Sequence, residues 1–251
     1  MGFRTMPRRV IPLLAVLAFL PACSGPSPVE AQRKQKEVLD LGKVTRKRQI
    51  APLFSAENAG WLSRPDREKT EQPDKVLDAL QIPQGATVAD IGAGTGYFTW
   101  RLAQRVGPKG KVIAEDVQQE MLDMLAANLK QRNLHNVELV LGGMRDPRLP
   151  EGRLDLALLV DVYHEFSEPE EMAAAIRRAL KPDGRLALVE YRKEDPSVPI
   201  LPLHKMSVED IRSEIEPLGF ELDQRLEFLP MQHILVFKKK ALPSEGPAKG
   251  Q

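Results

Sequence analysis

The stretch VADIGAGTGYFTWRLA, residues 88–103, decides the fold of this chain. Residues 86–91 are mostly apolar and predict a short buried strand with an acid, Asp90, near its end. Gly92, Gly94 and Gly96 follow, and glycine permits a sharp turn and a close approach of the backbone to a ligand. Residues 97–106 then carry apolar side chains at helical spacing. Strand, glycine-rich turn and helix are typical of the corner of a doubly wound sheet that holds a nucleotide cofactor.

The spacing of the glycines bears on which nucleotide the turn holds. The dinucleotide fingerprint G-x-G-x-x-G requires glycine or alanine at position 97, where this chain has Tyr97, and this disfavours NAD. The acid before the turn suits a ligand that carries a positive group. A second acid is expected about 20 residues on, where it would bind ribose hydroxyls. GKVIAEDV, residues 110–117, supplies Asp116 there, next to Glu115. A tight turn with a solvated acid is the alternative.

These residues resemble motif I of class I S-adenosylmethionine (SAM)-dependent methyltransferases, which is a hydrophobic strand, an acid and G-x-G-x-G. The resemblance implies SAM as the cofactor, bound by Asp90, the three glycines and Asp116. Motifs of this kind are specific for the superfamily but weak for the substrate, because one fold hosts many chemistries. The resemblance extends through most of residues 57–238 and includes AEDVQQEML (114–122), LPEGRLDLALLVDVYHEF (149–166) and AIRRALKPDGRLALVEY (175–191).

The order of the predicted elements indicates an α/β fold for a domain at residues 51–240. Strands and helices alternate, as a doubly wound, mostly parallel seven-stranded sheet requires. Residues 220–240 alternate on either side of Pro230 and predict a C-terminal antiparallel hairpin. Residues 51–80 predict an N-terminal helical cap. In the resembling family such helices cover the cofactor cleft, so Trp61, Arg64 and Arg67 are candidates to face it, although a packed tryptophan with surface arginines fits equally well.

Residues 1–22 predict a signal peptide, with a basic start and an apolar stretch at residues 10–20 that is too short to span a bilayer comfortably. Ala22 before Cys23 resembles a bacterial lipoprotein processing site, which implies lipid on the cysteine, although Pro21 departs from that pattern. An ordinary signal or an uncleaved anchor is the alternative. We expect an exported, membrane-anchored protein if the signal is processed, and otherwise a cytoplasmic or inner-membrane-associated one. Residues 23–50 predict a basic linker, and residues 241–251 a flexible tail.

Composition excludes several kinds of site and partner. The formal net charge of +1 gives no global bias toward nucleic acid, and no nucleic-acid partner is expected. Cys23 is the only cysteine, which excludes a disulfide framework, a thiolate metal site and a cysteine nucleophile in the domain. The four histidines lack the spacing of a motif such as H-E-x-x-H, so we predict no metal site, although His164, His204 and His233 could lie near one rim.

The carboxyl ends of the strands are where ligands bind in open α/β sheets. The resembling family usually places an acid in the loop after the third strand, toward the adenine amino group. Gly143 occupies that position here, so Asp146, or a packing contact from Met144, is the candidate for adenine. Asp161 follows the fourth strand and is a further candidate for cofactor binding.

His164 lies in DVYHEFSEPEE, residues 161–171, where the acceptor of the methyl group is expected. The segment resembles the H-D-W-S-D-E segment of small-molecule O-methyltransferases, in which the histidine is the general base. Neutral imidazole accepts protons near pH 7, so His164 is the candidate base for a hydroxyl that loses its proton as it attacks. A loop histidine hydrogen-bonded to backbone is the alternative. The absence of an N-P-P-Y pattern disfavours nucleobase amines as acceptors.

Three functions follow from these patterns. The first is SAM-dependent methyl transfer to a small molecule, with O-methylation favoured and a lipid or quinone-like acceptor suggested by the membrane anchor. The second is a SAM- or nucleoside-binding sensor or scaffold without catalysis at the membrane, because SAM is made in the cytoplasm and the signal predicts export. The third, a nicotinamide oxidoreductase, is disfavoured by Tyr97.

Overall fold

The computed structural model describes residues 1–2 and 48–240. Residues 3–47 and 241–251, which hold nearly all of the predicted signal peptide, Cys23, most of the basic linker and the tail, lie outside the described residues. Within residues 48–240 no helix combines the length and the apolar character that crossing a membrane requires.

The described residues form one eight-stranded sheet with the order β3-β2-β1-β4-β5-β8-β7, and the short β6 pairs with β5 off this path. Strands β1 to β5 pair in parallel, whereas β8 is antiparallel to both β5 and β7. The predicted mostly parallel sheet and its closing hairpin are therefore confirmed. The strands are β1 (Thr87–Ile91), β2 (Lys111–Asp116), β3 (Val137–Leu141), β4 (Leu154–Val160), β5 (Leu180–Arg192), β6 (Lys205–Met206), β7 (Phe220–Leu226) and β8 (Gln232–Lys239).

Helices cover both faces of this sheet. Ser207 caps the last one in a capping box with Asp210, and Glu209 adds a second acid to its first turn. The N-terminal cap is helical, and its first part, Ala56–Ser63, is a 3₁₀ helix. The α-helices are α1 (Arg67–Glu71), α2 (Pro73–Ala79), α3 (Thr99–Val106), α4 (Gln119–Gln131), α5 (Pro169–Ala179) and α6 (Val208–Ile215), and further 3₁₀ turns lie at Tyr163–Glu165, Pro202–His204 and Glu216–Leu218.

Strand β4 shows how the core is divided between the two faces. Ala157 and Leu159 belong to the buried cluster that includes residues of α5 and α6, whereas Leu156 and Leu158 belong to the cluster that includes residues of α2 and α3. A strand buried on both faces has a nearly continuous apolar sequence, which is why LDLALLV was recognisable as a central strand.

Strand β5 begins at Leu180, and the segment KPDG forms an irregularity within the strand: Leu154 pairs with Leu180, and Leu156 pairs with Arg185. Strand β2 extends to Asp116, so both acids at its end belong to the strand itself. This extension places their side chains at the carboxyl edge of the sheet.

Candidate active site

The carboxyl ends of β1, β2, β4 and β5 open into one cavity of about 390 Å³. Most of the predicted site residues line it, whereas Gly96 and Asp146 do not. Of the cap residues, Trp61 and Arg67 line it and Arg64 does not. The predicted residues in the lining are Asp90, Gly92, Gly94, Asp116, Met144, Asp161 and His164.

The glycine turn has a backbone that other residues adopt poorly. Gly92 and Gly96 have φ angles of 67° and 86°. A Cβ at Gly92 would lie 2.3 Å from Val162 Cγ2, and one at Gly96 would lie 2.8 Å from Leu125 Cγ. Both glycines are therefore required by the backbone and by close protein packing. Gly94 lies between them on the cavity wall.

The two acids at the end of β2 have different roles. Asp116 accepts hydrogen bonds from the backbone N–H groups of Gly94 and Gln118, each at 2.9 Å, so it holds the glycine turn in place. Glu115 accepts one from Gly92 N–H at 3.3 Å through Oε2, but its buried Oε1 has no hydrogen-bond partner among the described residues. An unpaired buried acceptor is costly, and Oε1 lies against Gly142.

The charge environment of these acids reflects their burial. Burial raises the pKa of Glu115 to about 8, and the neighbouring charge of Asp116 contributes to the rise. Burial likewise raises the pKa of Asp90 to about 7, against a hydrogen bond of 2.6 Å that its Oδ2 accepts from Thr99 Oγ1. A ligand with a positive group would offset the cost of ionising these buried carboxyls.

Asp161 begins the loop after β4 in the left-handed region, with a φ of 53°. Both of its carboxylate oxygens accept from Gln232 Nε2, at 2.9 and 2.8 Å, which ties the end of β4 to β8. Burial, together with the charges of Glu71 and Glu190, raises its pKa well above the usual range. Asp161 therefore lines the cavity with both carboxylate oxygens already hydrogen-bonded to Gln232.

The loop after β3 separates the two candidates for adenine. Met144 lines the cavity and is 40% exposed. Asp146 does not line it, and its Oδ1 accepts from the backbone N–H of Arg148 at 2.7 Å in a local turn. Of these two candidates, only Met144 is part of the cavity wall.

His164 lies in the 3₁₀ turn after β4 and is 3% exposed. Its Nδ1 is 2.7 Å from Glu190 Oε2, and its Nε2 is 3.1 Å from His204 Nδ1. Both ring nitrogens thus face side chains. The alternative interpretation, a loop histidine hydrogen-bonded to backbone, does not describe this geometry. His233, expected near the same rim, lies on β8 opposite Glu190 and does not line the cavity.

The two histidines differ in how they hold a proton. Burial lowers the pKa of His164, but the charge and the hydrogen bond of Glu190 outweigh it, so the pKa is raised. The pKa of His204 is lowered by its partial burial and by His164. A proton on the pair therefore resides on His164, where the fully buried Glu190 stabilises it.

The mouth of the cavity is apolar. Within residues 48–240, four of the large hydrophobic side chains with high exposure lie in the cavity lining, where contiguous apolar surface indicates a binding site. They come from the N-terminal cap and from the loops after β3 and β5, which are distant in sequence. They are Leu53 (43% exposed), Trp61 (42%), Met144 (40%) and Leu201 (70%).

Residues 88–184 match the family model described as a methyltransferase domain. This part of the chain is thus similar to methyltransferase domains. Its sheet agrees with a SAM-dependent methyltransferase structure from Aquifex aeolicus, which has 28% sequence identity and a TM-score of 0.70 over 74% of this chain and 98% of that one. The family and this structure imply SAM as the cofactor.

Two curated relatives are similar over a comparable region. One is a nocamycin O-methyltransferase from Saccharothrix syringae, 33% identical over 45% of this chain and 41% of the relative. The other is a demethylmenaquinone methyltransferase from Lactococcus lactis, 31% identical over 54% of this chain and 52% of the relative. The chain thus spans about half or less of the length of these curated relatives.

Proposed function

We propose that the protein is a SAM-dependent methyltransferase that acts on a hydroxyl group of a small, largely apolar molecule. The observation that carries this proposal is the position of His164, held by Glu190, on the wall of the cavity that the glycine turn also lines. SAM, when bound, supplies a methyl group on a positively charged sulfur to an acceptor that attacks it.

The residues on the glycine side of the cavity fit this cofactor. Glu115 and Asp116 line the cavity at the end of β2, where carboxylates suit the ribose hydroxyls. Asp90 offers a carboxylate for the positive part of the molecule, and Met144 offers an apolar surface for the adenine ring. Asp116 contributes by holding the turn through Gly94.

The other side of the cavity suits an acceptor that must lose a proton. The proton passes from the acceptor hydroxyl to the pair formed by His164 and His204, and the charge is stabilised by Glu190. Most of the rate enhancement comes from positioning, because holding two reactants in line replaces a bimolecular encounter.

The class of acceptor is supported by two observations. Four exposed hydrophobic residues surround the mouth of the cavity, so an apolar acceptor would bury surface on binding. The names of two relatives specify methylation of small molecules, one of them on oxygen.

Thermal unfolding with SAM, with S-adenosylhomocysteine and with NADH tests the cofactor. A ligand that binds the folded state raises the midpoint with its saturation, and we expect a rise with the first two only. Incubation with methyl-labelled SAM and a panel of phenols and quinols then tests transfer. Binding of SAM without transfer to any member would favour the alternative of a non-catalytic sensor or scaffold.

A further inference from the structure

The side chains of His164, Glu165 and His204 bring three potential metal ligands together on the cavity wall. Their ligand atoms all lie within 4.8 Å of one another. His164 Nε2 is 3.1 Å from His204 Nδ1 and 3.9 Å from Glu165 Oε1. His164 and Glu165 are buried, and His204 is half-buried. The histidine spacing in the sequence hides this cluster, because His204 comes from a different loop.

We infer that this cluster, referred to below as the histidine cluster, binds a divalent transition metal ion of the Zn²⁺ type. Two imidazoles and one carboxylate are an established ligand set for zinc in enzymes. On a tetrahedral Zn²⁺, two nitrogens at about 2.0–2.1 Å from the ion lie roughly 3.4 Å apart. The nitrogen separation of 3.1 Å therefore needs little adjustment to admit the ion.

The surroundings of His164 provide the support that a metal-binding histidine requires. Glu190 Oε2, 2.7 Å from Nδ1, favours the proton on that nitrogen and leaves the lone pair of Nε2 for the ion. Histidine ligands commonly donate their other N–H to a carboxylate in this way, which fixes the tautomer and the ring orientation. Glu190 is itself held, because its Oε1 accepts from the backbone N–H of Tyr163 at 2.8 Å.

The fourth coordination position of the ion would face the cavity, because all three ligands line it. An open position is typical of catalytic rather than structural zinc. The consequence that follows rests on the proposed function. An acceptor hydroxyl that binds the ion through oxygen releases its proton to solvent at a lower pH, and the oxygen then attacks the methyl group. In the metal-loaded protein, His164 is a ligand and the ion replaces it as the means of deprotonation.

The test uses the full chain, stripped with a chelator and then titrated with ZnCl₂ by calorimetry and with CoCl₂ by visible absorption. We expect one ion for each chain. His204→Ala and Glu165→Gln should each bind Zn²⁺ at least tenfold more weakly, and Glu190→Gln about 10–100-fold more weakly, as for other residues that orient a ligand. The control is His135→Ala, because His135 is exposed and bonds only to Asn133 among the described residues.

His204 is half-buried in a loop, so its replacement is expected to leave the fold intact, which thermal unfolding checks. The inference is overturned if the protein takes up no ion at submillimolar concentration, or if His204→Ala and Glu165→Gln bind it as the unmodified protein does. SAM binding is measured on the same preparations. Uptake of Zn²⁺ without SAM binding would support the metal site and overturn the proposed function. SAM binding without uptake of Zn²⁺ would overturn the metal site and support the proposed function.

Discussion

The two sides of the cavity are built in different ways. The cofactor side is built around a strand, a turn and the next strand, and two hydrogen bonds between residues 22 or 23 positions apart join the turn to that strand, Gly94 with Asp116 and Gly92 with Glu115. The acceptor side joins His164 with Glu190 and His204, 26 and 40 positions away, and the backbone of His164 with Arg48, 116 positions away. A locally encoded side accommodates a common cofactor, whereas an assembled side can vary with the acceptor.

The largest expected effect concerns the centre of the acceptor side. In the metal-free protein, His164→Ala should lower turnover by about 10²–10⁴-fold, the usual contribution of a general base, while SAM affinity stays the same. Steady-state kinetics and calorimetry measure the two quantities. His135→Ala, outside the cavity, is the control for loss of a histidine. Equal losses of turnover and SAM affinity would contradict the separation into two sides.

Replacement of Glu190 examines the long-range support of His164. Glu190 raises the pKa of His164, so Glu190→Gln should lower that pKa. The base must be unprotonated, and the rate in the metal-free protein rises with pH through this pKa. The rising limb should therefore move to lower pH, while maximal turnover falls about tenfold because the imidazolium loses its carboxylate. A pH–rate profile that only scales down, without moving, would assign Glu190 a purely structural role.

Asp90→Asn examines the cofactor side and should weaken SAM binding about tenfold. Stability should change in the opposite sense. The folded protein keeps a proton on Asp90 up to about pH 7, whereas the unfolded chain loses it near its ordinary pKa of 3.8. Stability from this group is thus lost as pH rises between these values. Asparagine does not titrate, so its contribution to stability does not fall over this range. The variant should therefore gain stability relative to the unmodified protein from pH 4 to 7.

Denaturant unfolding at several pH values measures this difference, and calorimetry measures the affinity. A variant that loses stability equally at pH 4 and pH 7 would show that the Asp90 carboxyl is not held protonated. Unchanged SAM affinity would remove Asp90 from the cofactor side.

The smallest effect is expected at the mouth of the cavity. Leu201→Ser should raise the KM for an apolar acceptor about fivefold, because roughly 1 kcal/mol of burial is lost on binding. SAM affinity should not change. Phe228→Ser is the matched control, since Phe228 is 45% exposed but does not line the cavity. An equal effect of the two substitutions would indicate that the mouth does not contact the acceptor.

The sequence by itself determined the elements that depend on local pattern. The continuous apolar run of β4, the glycines before α3 and the alternation around Pro230 each follow from one segment, and each predicted the correct element. The acids Asp90 and Asp116 were located because they end adjacent strands. The KPDG segment was interpreted as a turn, since its irregularity arises only through pairing with β4.

Tertiary structure decided what each acidic and histidine side chain contacts. Asp146 bonds locally to the backbone of Arg148, and Asp116 accepts from the backbone N–H of Gly94. His204 meets His164 because the loop after β5 folds back over the cavity, and no local pattern specifies that contact. The physical reason is that hydrophobic periodicity and turn chemistry act within a segment, whereas hydrogen bonds between buried polar groups depend on which segments the sheet brings together.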